Sequence, residues 1–528
     1  MNRHKQTMYK EVSIDVAAHI AADAALYTPI LAQAAGVAPS RITHVALLRR
    51  SIDARSREVK VLLKAGLYID EDPVFPEKTA LTYQNVANGP EIIIVGAGPA
   101  GLFAALRLIE LGYKPIIFER GKDVRSRRHD IAAINRQHIV DPNSNYSFGE
   151  GGAGTYSDGK LYTRSKKRGN VNRILQVLQD HGADEDILID AHPHIGTNKL
   201  PRIIASIRET IRSCGGEIHF ETRVNDLVLQ GDTITGIVLH DGRKVLGKSV
   251  LLATGHSARD IFEILENRKI QIEAKPFAMG VRVEHPQSLI DGIQYHCQIR
   301  SPHLPAAAYS LVKQIADRGV YSFCMCPGGF IVPAATAPGE VVVNGMSPSS
   351  RNSQYANSGM VVEIRLEDLG DYHKYGNLAS LRYQQDLEKL AWQKGGETQT
   401  APAQRLADFV QGITSSNLPE SSYQPGMLSS PLHEWLPEGI SKRLREGFLE
   451  FGNKMQGYLT NDAVILGVES RTSSPIKIPR DIDTMQHPQI KGLYPCGEGA
   501  GYAGGIVSSA MDGERCADAI AIALGVSI

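Results

Sequence analysis

Cysteine is scarce in this chain. Its 528 residues hold six, Cys214, Cys297, Cys324, Cys326, Cys496 and Cys516, a number and scatter that fit a reducing cytoplasm, the location expected here. No pair has the C-x-x-C or C-x4-C spacing of a disulfide reductase, and no iron–sulfur spacing is present. Excess charge of one sign is also missing: 57 Lys and Arg balance 57 Asp and Glu. That balance argues against a nucleic-acid-coating surface and against a polybasic membrane anchor. The longest uncharged apolar run, residues 92–106, is interrupted by Gly96, Gly98, Pro99 and Gly101. It is also too short to cross a bilayer. The opening MNRHKQTMYKEVSID is polar and meets an acid early, unlike a signal peptide. No repeats are visible. A soluble chain without membrane attachment is the expectation.

The length allows two or three domains around a large core. Residues 1–88 read as a small α+β unit in β-α-β-β order. In it THVALLRRSI and EVKVLLKAGLYI are strands joined through the polar DARSR. From residue 89 the pattern turns to α/β. EIIIV is a short apolar strand of the buried parallel kind, GAGPAGLFAALRLIELG a helix opened by glycines, and KPIIFER a second strand. A β-meander follows and ends in the buried LLATG. Residues 273–455 are strand-rich and irregular, and 456–528 return to strand, glycine turn and helix. The fold class expected is α/β: a discontinuous FAD-binding Rossmann-like domain (89–272 and 456–528), an inserted β-rich substrate domain (273–455) and the N-terminal α+β domain. The Pro/Ser/Gly-rich text from Gln393 to Gly426 reads as a long loop, disordered or a lid.

Three places match G-x-G-x-x-G, and context separates them. Gly96, Gly98 and Gly101 follow a buried strand and open a helix, with Pro99 in its first turn. The first glycine makes the turn, the second admits a pyrophosphate to the backbone, and the third lets helix and strand pack closely. The second strand ends at Glu119, 23 positions after Gly96, where a carboxylate can meet ribose hydroxyls. Gly149, Gly151 and Gly154 have no apolar strand before them, and Gly499, Gly501 and Gly504 have only LYPCG. One dinucleotide site is therefore expected, with the other glycine runs placed where backbone must lie against a flat ligand.

GAGPAG with Glu119, LLATG and LYPCGEGAGYAGGI, in that order, resemble the three-part pattern of glutathione-reductase-type FAD enzymes, most closely the branch with the hydroxylase-type substrate domain. SFGEGGAGTYSDGKL, HPHIGTNKL, YSFCMCPGGF, GVESRTSSPIKIPRD and the N-terminal unit, expected to be ferredoxin-like, extend the resemblance to a family of bacterial FAD-dependent dehydrogenases. The resemblance implies FAD. It places the pyrophosphate on Gly96, Gly98, Pro99, Ala100 and Gly101, and the adenosine ribose on Glu119 beside Arg120. Adenine would meet the backbone of Val224, and Ala253, Thr254 and Gly255 would carry the chain past the nucleotide. Gly497 and Glu498 stand where such proteins have Gly-Asp, with Glu a departure by one methylene. Gly504, Gly505, Ile506 and Val507 would bring a helix N-terminus to the flavin. Gly149, Glu150, Gly151 and Gly152 would lie along the isoalloxazine ring.

No second complete βαβ fingerprint lies between Glu119 and Gly497, so NAD(P)H would have to dock transiently in an open groove. The expected reaction is hydride transfer between flavin and a small organic substrate. The alternatives are an NAD(P)H-dependent hydroxylase and, from another class, an RNA-binding or RNA-modifying flavoprotein using the basic hairpin with Arg41, Arg49, Arg50, Arg55, Arg57, Lys60 and Lys64. No aromatic stripe accompanies those charges, which favours a solvated hairpin packed on the FAD domain. Arg471 is either an anion clamp or a tether between sheet and FAD domain. His192 and His194 can contact substrate or simply bond structurally, and no metal site is expected. Cys324 and Cys326, in apolar strand text, read as inert core, and His256 as a turn residue. Oligomeric state is not legible.

Overall fold

The computed structural model describes residues 8–73, 81–163 and 166–526. Its first unit is built on three antiparallel strands, Met8–Val16, Lys60–Ile69 and Ile42–Asp53, with Lys60–Ile69 in the middle. Alternation decides which face is covered. Val61, Leu63, Ala65, Leu67 and Ile69 all point inward and are buried together with Leu31 of the helix Ala24–Ala35. Asp23 caps that helix by accepting from Ala25 N at 2.8 Å, and Gly36, at φ +72°, ends it. A short helix, Ala18–Ala21, precedes it, so the order is β-α-α-β-β. Among the described residues the sheet has three strands rather than the four of a ferredoxin-like fold. The connecting text after Asp70 lies partly outside the described residues.

The second sheet has five parallel strands, in the order Leu493–Pro495, Val250–Leu252, Glu91–Val95, Lys114–Phe118 and Glu217–His219. Glu91–Val95 is central and covered on both faces, which is why its last four residues are all apolar and buried. Later strands add on either side of it, so the chain reverses direction between Glu91–Val95 and Val250–Leu252. Ligands of doubly wound sheets bind at such a switch point, outside the carboxyl ends of the strands. The helices Pro99–Glu110, Leu200–Ser213 and Ile506–Ala523 cover one face. The other carries the antiparallel meander Val224–Gln230, Thr233–Leu239 and Lys244–Leu246 with the helix Arg259–Asn267.

The third unit is a seven-stranded sheet in the order Val312–Ile315, Arg318–Cys326, Tyr355–Ile364, Phe277–Pro286, Val464–Glu469, Ala401–Arg405 and Met427–Ser429. Two expectations change here. Val464–Glu469, assigned to the returning FAD segment, is an inner strand of this sheet between Phe277–Pro286 and Ala401–Arg405, so the sheet continues past residue 455. The expected loop from Gln393 to Gly426 is ordered. It contributes the strand Ala401–Arg405, whose Ala401 and Ala403 are buried, and the helix Leu406–Gln411. Its serines Ser421 and Ser422 are bonded to the buried carboxylate of Glu284. Among the described residues no helix is long and apolar enough to cross a membrane.

Candidate functional site

A cavity of about 420 Å³ opens at the switch point of the parallel sheet and reaches the seven-stranded sheet. Its floor is the first glycine loop. A Cβ on Gly96 (φ +105°) would sit 2.5 Å from Ala253 O, and one on Gly101 would sit 2.0 Å from Gly96 O. Those two glycines are fixed by packing. Gly98 instead faces the cavity, its nearest neighbour beyond a Cβ being Gly152 Cα at 4.0 Å. Pro99 follows at the start of the helix, whose end has no side-chain cap. The helix Ile506–Ala523 starts at the same cavity, also uncapped, and a Cβ at Gly504 or Gly505 would touch nothing within 4 Å. Two helix N-termini with free N–H groups thus open on one space, an arrangement that favours an anion.

Glu119 stands between the loops, buried but on the cavity wall. Its carboxylate accepts from Ala97 N and Gly121 N at 2.9 Å and from Gly149 N at 3.0 Å. Three of its roughly four lone-pair directions are used by backbone, leaving one for a ligand. Arg120 lies over the Phe148 ring at 4.4 Å and pairs with Asp260.

The loop at 149–152 is draped over the first glycine loop: Gly151 N donates to Ala97 O at 2.8 Å, and a Cβ on Gly152 would sit 3.2 Å from Gly98 Cα. Only its later part, 152–154, lines the cavity; Gly149 and Gly151 are packed behind it. Glu150 is fully buried, accepts from Val124 N at 2.8 Å and pairs with Arg208 at 2.9 Å, away from the cavity. Burial pushes its carboxyl up, against that partner. Arg127, not picked out from sequence, holds the loop from beneath through Asn145 O at 2.7 Å and Glu150 O at 2.9 Å. Complete burial brings its guanidinium down to about 10.

Val224, Ala253, Thr254 and Gly255 line the cavity, as do Glu498, Gly504, Gly505 and Ile506. Gly497 does not: its N–H donates to Asp512 at 2.7 Å. Val507 is buried behind Ile506, and Gly101 behind Gly96. His256 is in a turn, as expected, and that turn is on the cavity wall, with its Nδ1 3.2 Å from Glu498 Oε1.

Arg471 reaches the wall, but all its donors are taken. Nε goes to Glu388, Nη1 to Ser257 and Thr336, and Nη2 to Glu340 and Glu388, at 2.7–3.2 Å. Arg259 shares both carboxylates. Burial opposes ionisation of Glu388, yet the two guanidiniums hold its carboxyl down at about 2. The tether is therefore the role its contacts fill. His192 and His194 lie off the cavity. His192 is exposed and packs on Tyr162 at 4.9 Å between ring centres, and His194 Nε2 bonds Ser349 O at 3.1 Å. Burial lowers the His194 pKa. Arg41, Arg50, Arg55 and Lys64 of the basic hairpin each carry an acidic partner, Arg50 reaching Asp190 at 2.7 Å on the FAD-side helix cluster.

Among the wall residues, sequence reasoning gave no role to Lys160, Phe323 and Asn344, and it read Cys324, which also reaches the wall, as inert core. Lys160 stands in the quoted SDGKL; Phe323 and Cys324 come from the seven-stranded sheet and Asn344 from the two-stranded sheet of Phe330–Pro333 and Val343–Met346, whose approach no local pattern announces.

Residues 276–472 match the family model described as FAD-dependent protein, C-terminal domain-like, and residues 8–68 match a domain of unknown function. A Clostridium beijerinckii protein described as uncharacterized is 38% identical over 500 residues, covering 91% of this chain and 92% of its own. A thiamine thiazole synthase of Methanococcus maripaludis is 25% identical over 190 residues, 34% of this chain and 61% of its own. Among solved structures, a flavin-dependent brominase aligns at 15% identity and TM-score 0.35, over 83% of this chain and 81% of its own. A glycine oxidase from Bacillus cereus aligns at 15% identity and TM-score 0.30, over 83% and 95%.

Proposed function

The chain belongs to one family with the Clostridium beijerinckii protein and carries the FAD-dependent C-terminal domain at residues 276–472, and from that premise we propose that it is an oxidoreductase moving a hydride between FAD and a small organic substrate. One observation carries the reading: a single cavity joins two uncapped helix N-termini and the Glu119 carboxylate to a wall supplied by the seven-stranded sheet. The donor set suits the cofactor. Open backbone at Gly98 and the N-terminus of Pro99–Glu110 suit a diphosphate, and the remaining lone pair of Glu119 suits a ribose hydroxyl. Val224 and residues 253–255 would flank the adenosine end, and Gly504, Gly505 and Ile506 the ring end.

Bound there, the flavin supplies the hydride chemistry. The protein's share is orientation, charge and exclusion of water. The N-terminus of Ile506–Ala523 favours negative charge beside it. Phe323, Ala334 and Cys324 close the opposite side, where a substrate would lie. Lys160 extends a cation into the same end: burial disfavours its charge, but Cys324, Cys326 and Asp158 outweigh that and raise its pKa. It can hold a proton where an electron-rich substrate atom develops. The N-terminal unit, residues 1–88, and the interrupted FAD domain are proposed as separate domains around the inserted sheet.

The test is the absorbance spectrum of the purified protein before and after anaerobic NADH or NADPH. A bound flavin that is bleached by one nicotinamide supports the reductase direction and names the donor. A flavin left oxidised points to the organic substrate as donor. A colourless protein that takes up no added FAD overturns the proposal.

A further inference from the structure

The wall opposite the glycine loops is made by an irregular strand. Arg318–Cys326 pairs with Tyr355–Ile364 as far as Phe323 with Gly359, and pairing resumes at Cys326 with Asn357. Three steps on one strand face two on the other, so one residue is extra: a β-bulge. Cys324 lies in it at φ +46°, a conformation uncommon for a side-chain-bearing residue and of the kind found at functional sites. The outcome of that distortion is that Cys324 reaches the cavity wall while Cys326 stays buried.

Charges converge on the two sulfurs. Lys160 Nζ is 4.0 Å from Cys324 Sγ and 3.8 Å from Cys326 Sγ, and it also donates to Met325 O between them. Arg282, completely buried, donates to Cys324 O at 2.7 Å and lies 3.6 Å from Cys326 Sγ, with Glu469 as its ion-pair partner at 2.8 Å. Asp158, 3.6 Å from Lys160, is held by Arg351 at 2.8 Å and by Ser347. Two cations, Lys160 and Arg282, therefore lie against the pair, each with a carboxylate partner of its own, Asp158 and Glu469. Cys326 Sγ donates to Cys324 O at 3.2 Å, and the two thiols titrate apart: the interaction with Cys326 holds Cys324 well below the usual thiol range, and Cys326 is pushed up.

We propose that Cys324 and Cys326 are a redox-active dithiol that exchanges two electrons with the flavin while closing to a disulfide. The proposal rests on the FAD site described above. In the oxidising direction the Cys324 thiolate and the Cys326 thiol form one S–S bond, and the Cys326 S–H bond breaks. The electron pair and that proton pass to the flavin. The thiolate's negative charge reappears on the reduced flavin, next to the N-terminus of Ile506–Ala523, so charge, electrons and protons balance. The reverse step regenerates the dithiol. Lys160 acts by holding Cys324 as thiolate, the attacking form. The pair differs from the dithiols of disulfide reductases in place: it sits on the substrate sheet, across the cavity from the FAD glycine loop, and its spacing is Cys-x-Cys.

Two measurements on the flavin-loaded protein test it. Anaerobic reductive titration of protein first oxidised with diamide reads electron uptake per flavin. Wild type is expected to take up twice as much as Cys326→Ser and Cys324→Ser, each checked for a native flavin spectrum. Equal uptake in all three overturns the proposal. Peptide mass mapping after oxidation and alkylation gives a readout that needs no flavin. The peptide carrying both cysteines is expected unalkylated and lighter by two hydrogens. Recovery of that peptide doubly alkylated also overturns the proposal, and leaves Cys324 at most a nucleophile toward substrate. A colourless protein overturns the flavin reading instead, while the peptide mass still decides whether the thiols pair.

Discussion

The carboxylate of Glu119 takes the backbone N–H of Gly149 at 3.0 Å, joining the end of the second parallel strand to a loop 30 residues on. With Ala97 and Gly121 on the same side chain, the residue organises the cavity wall before any ligand arrives. Glu119→Gln replaces one acceptor oxygen by a donor that must face an N–H. Bonds to a charged group are worth about 1.5–3 kcal/mol, so the variant without cofactor is expected to lose about 2 kcal/mol in a urea melt. FAD affinity should fall as well. Unchanged stability with weakened FAD would mean that the carboxylate serves ribose alone.

Glycines of the same loops should separate fold from cofactor. At Gly101 a methyl group would be driven to 2.0 Å from Gly96 O. Gly101→Ala is therefore expected to cost about 1–3 kcal/mol or to prevent folding. At Gly505 a methyl group meets nothing within 4 Å. Gly505→Ala should melt like the parent but retain FAD at least tenfold more weakly, because the methyl would enter the space assigned to the flavin. Thermal melts of both, with flavin fluorescence of the dialysed protein, give the comparison.

The parts of this site that are local in sequence were the parts that could be read from it. A strand, a glycine turn, a helix and a terminal acid are contiguous in 91–119, and their geometry follows from dihedral and packing rules. Lys160 and Cys324 are 164 positions apart and meet only because the seven-stranded sheet is laid against the parallel one. A bulge has no sequence signature of its own, so apolar text around Cys324 and Cys326 gave the core expectation. The segment 393–426 misled through composition. Its prolines and serines mark turns, while the short alternation of Ala401, Ala403 and Arg405, two to three residues of signal, carries an inner strand.

Arg471, with all five donors engaged, is expected to act as a stability residue. Arg471→Met leaves Glu340 and Glu388 to Arg259 alone, and an unbalanced buried charge of this kind costs about 3–5 kcal/mol. The double variant Arg471→Met, Glu388→Gln removes the uncompensated charge and should recover part of the loss. Urea midpoints of the two variants decide it. A clamp for an anionic substrate predicts a different result: stability near that of the parent and a raised KM.

His285 sits in the inner strand Phe277–Pro286, completely buried, with Nε2 bonded to Tyr458 O at 2.8 Å and the rings 4.4 Å apart. Burial lowers its pKa from the ordinary histidine value of about 6.5 to about 4. Between those values the unfolded chain binds more protons than the folded one, so stability rises with pH. The contribution is fully present above pH 6.5 and is lost as pH falls toward 4. Going from pH 7 to pH 5, this group alone should remove about 2 kcal/mol, at about 1.36 kcal/mol per unit. His285→Gln keeps a donor for Tyr458 O but cannot titrate. Urea melts at the two pH values should show a parent curve that drops by about 2 kcal/mol more than the variant's. Parallel losses in the two proteins would mean that this histidine is already charged in the fold, and that the acid sensitivity belongs to other groups.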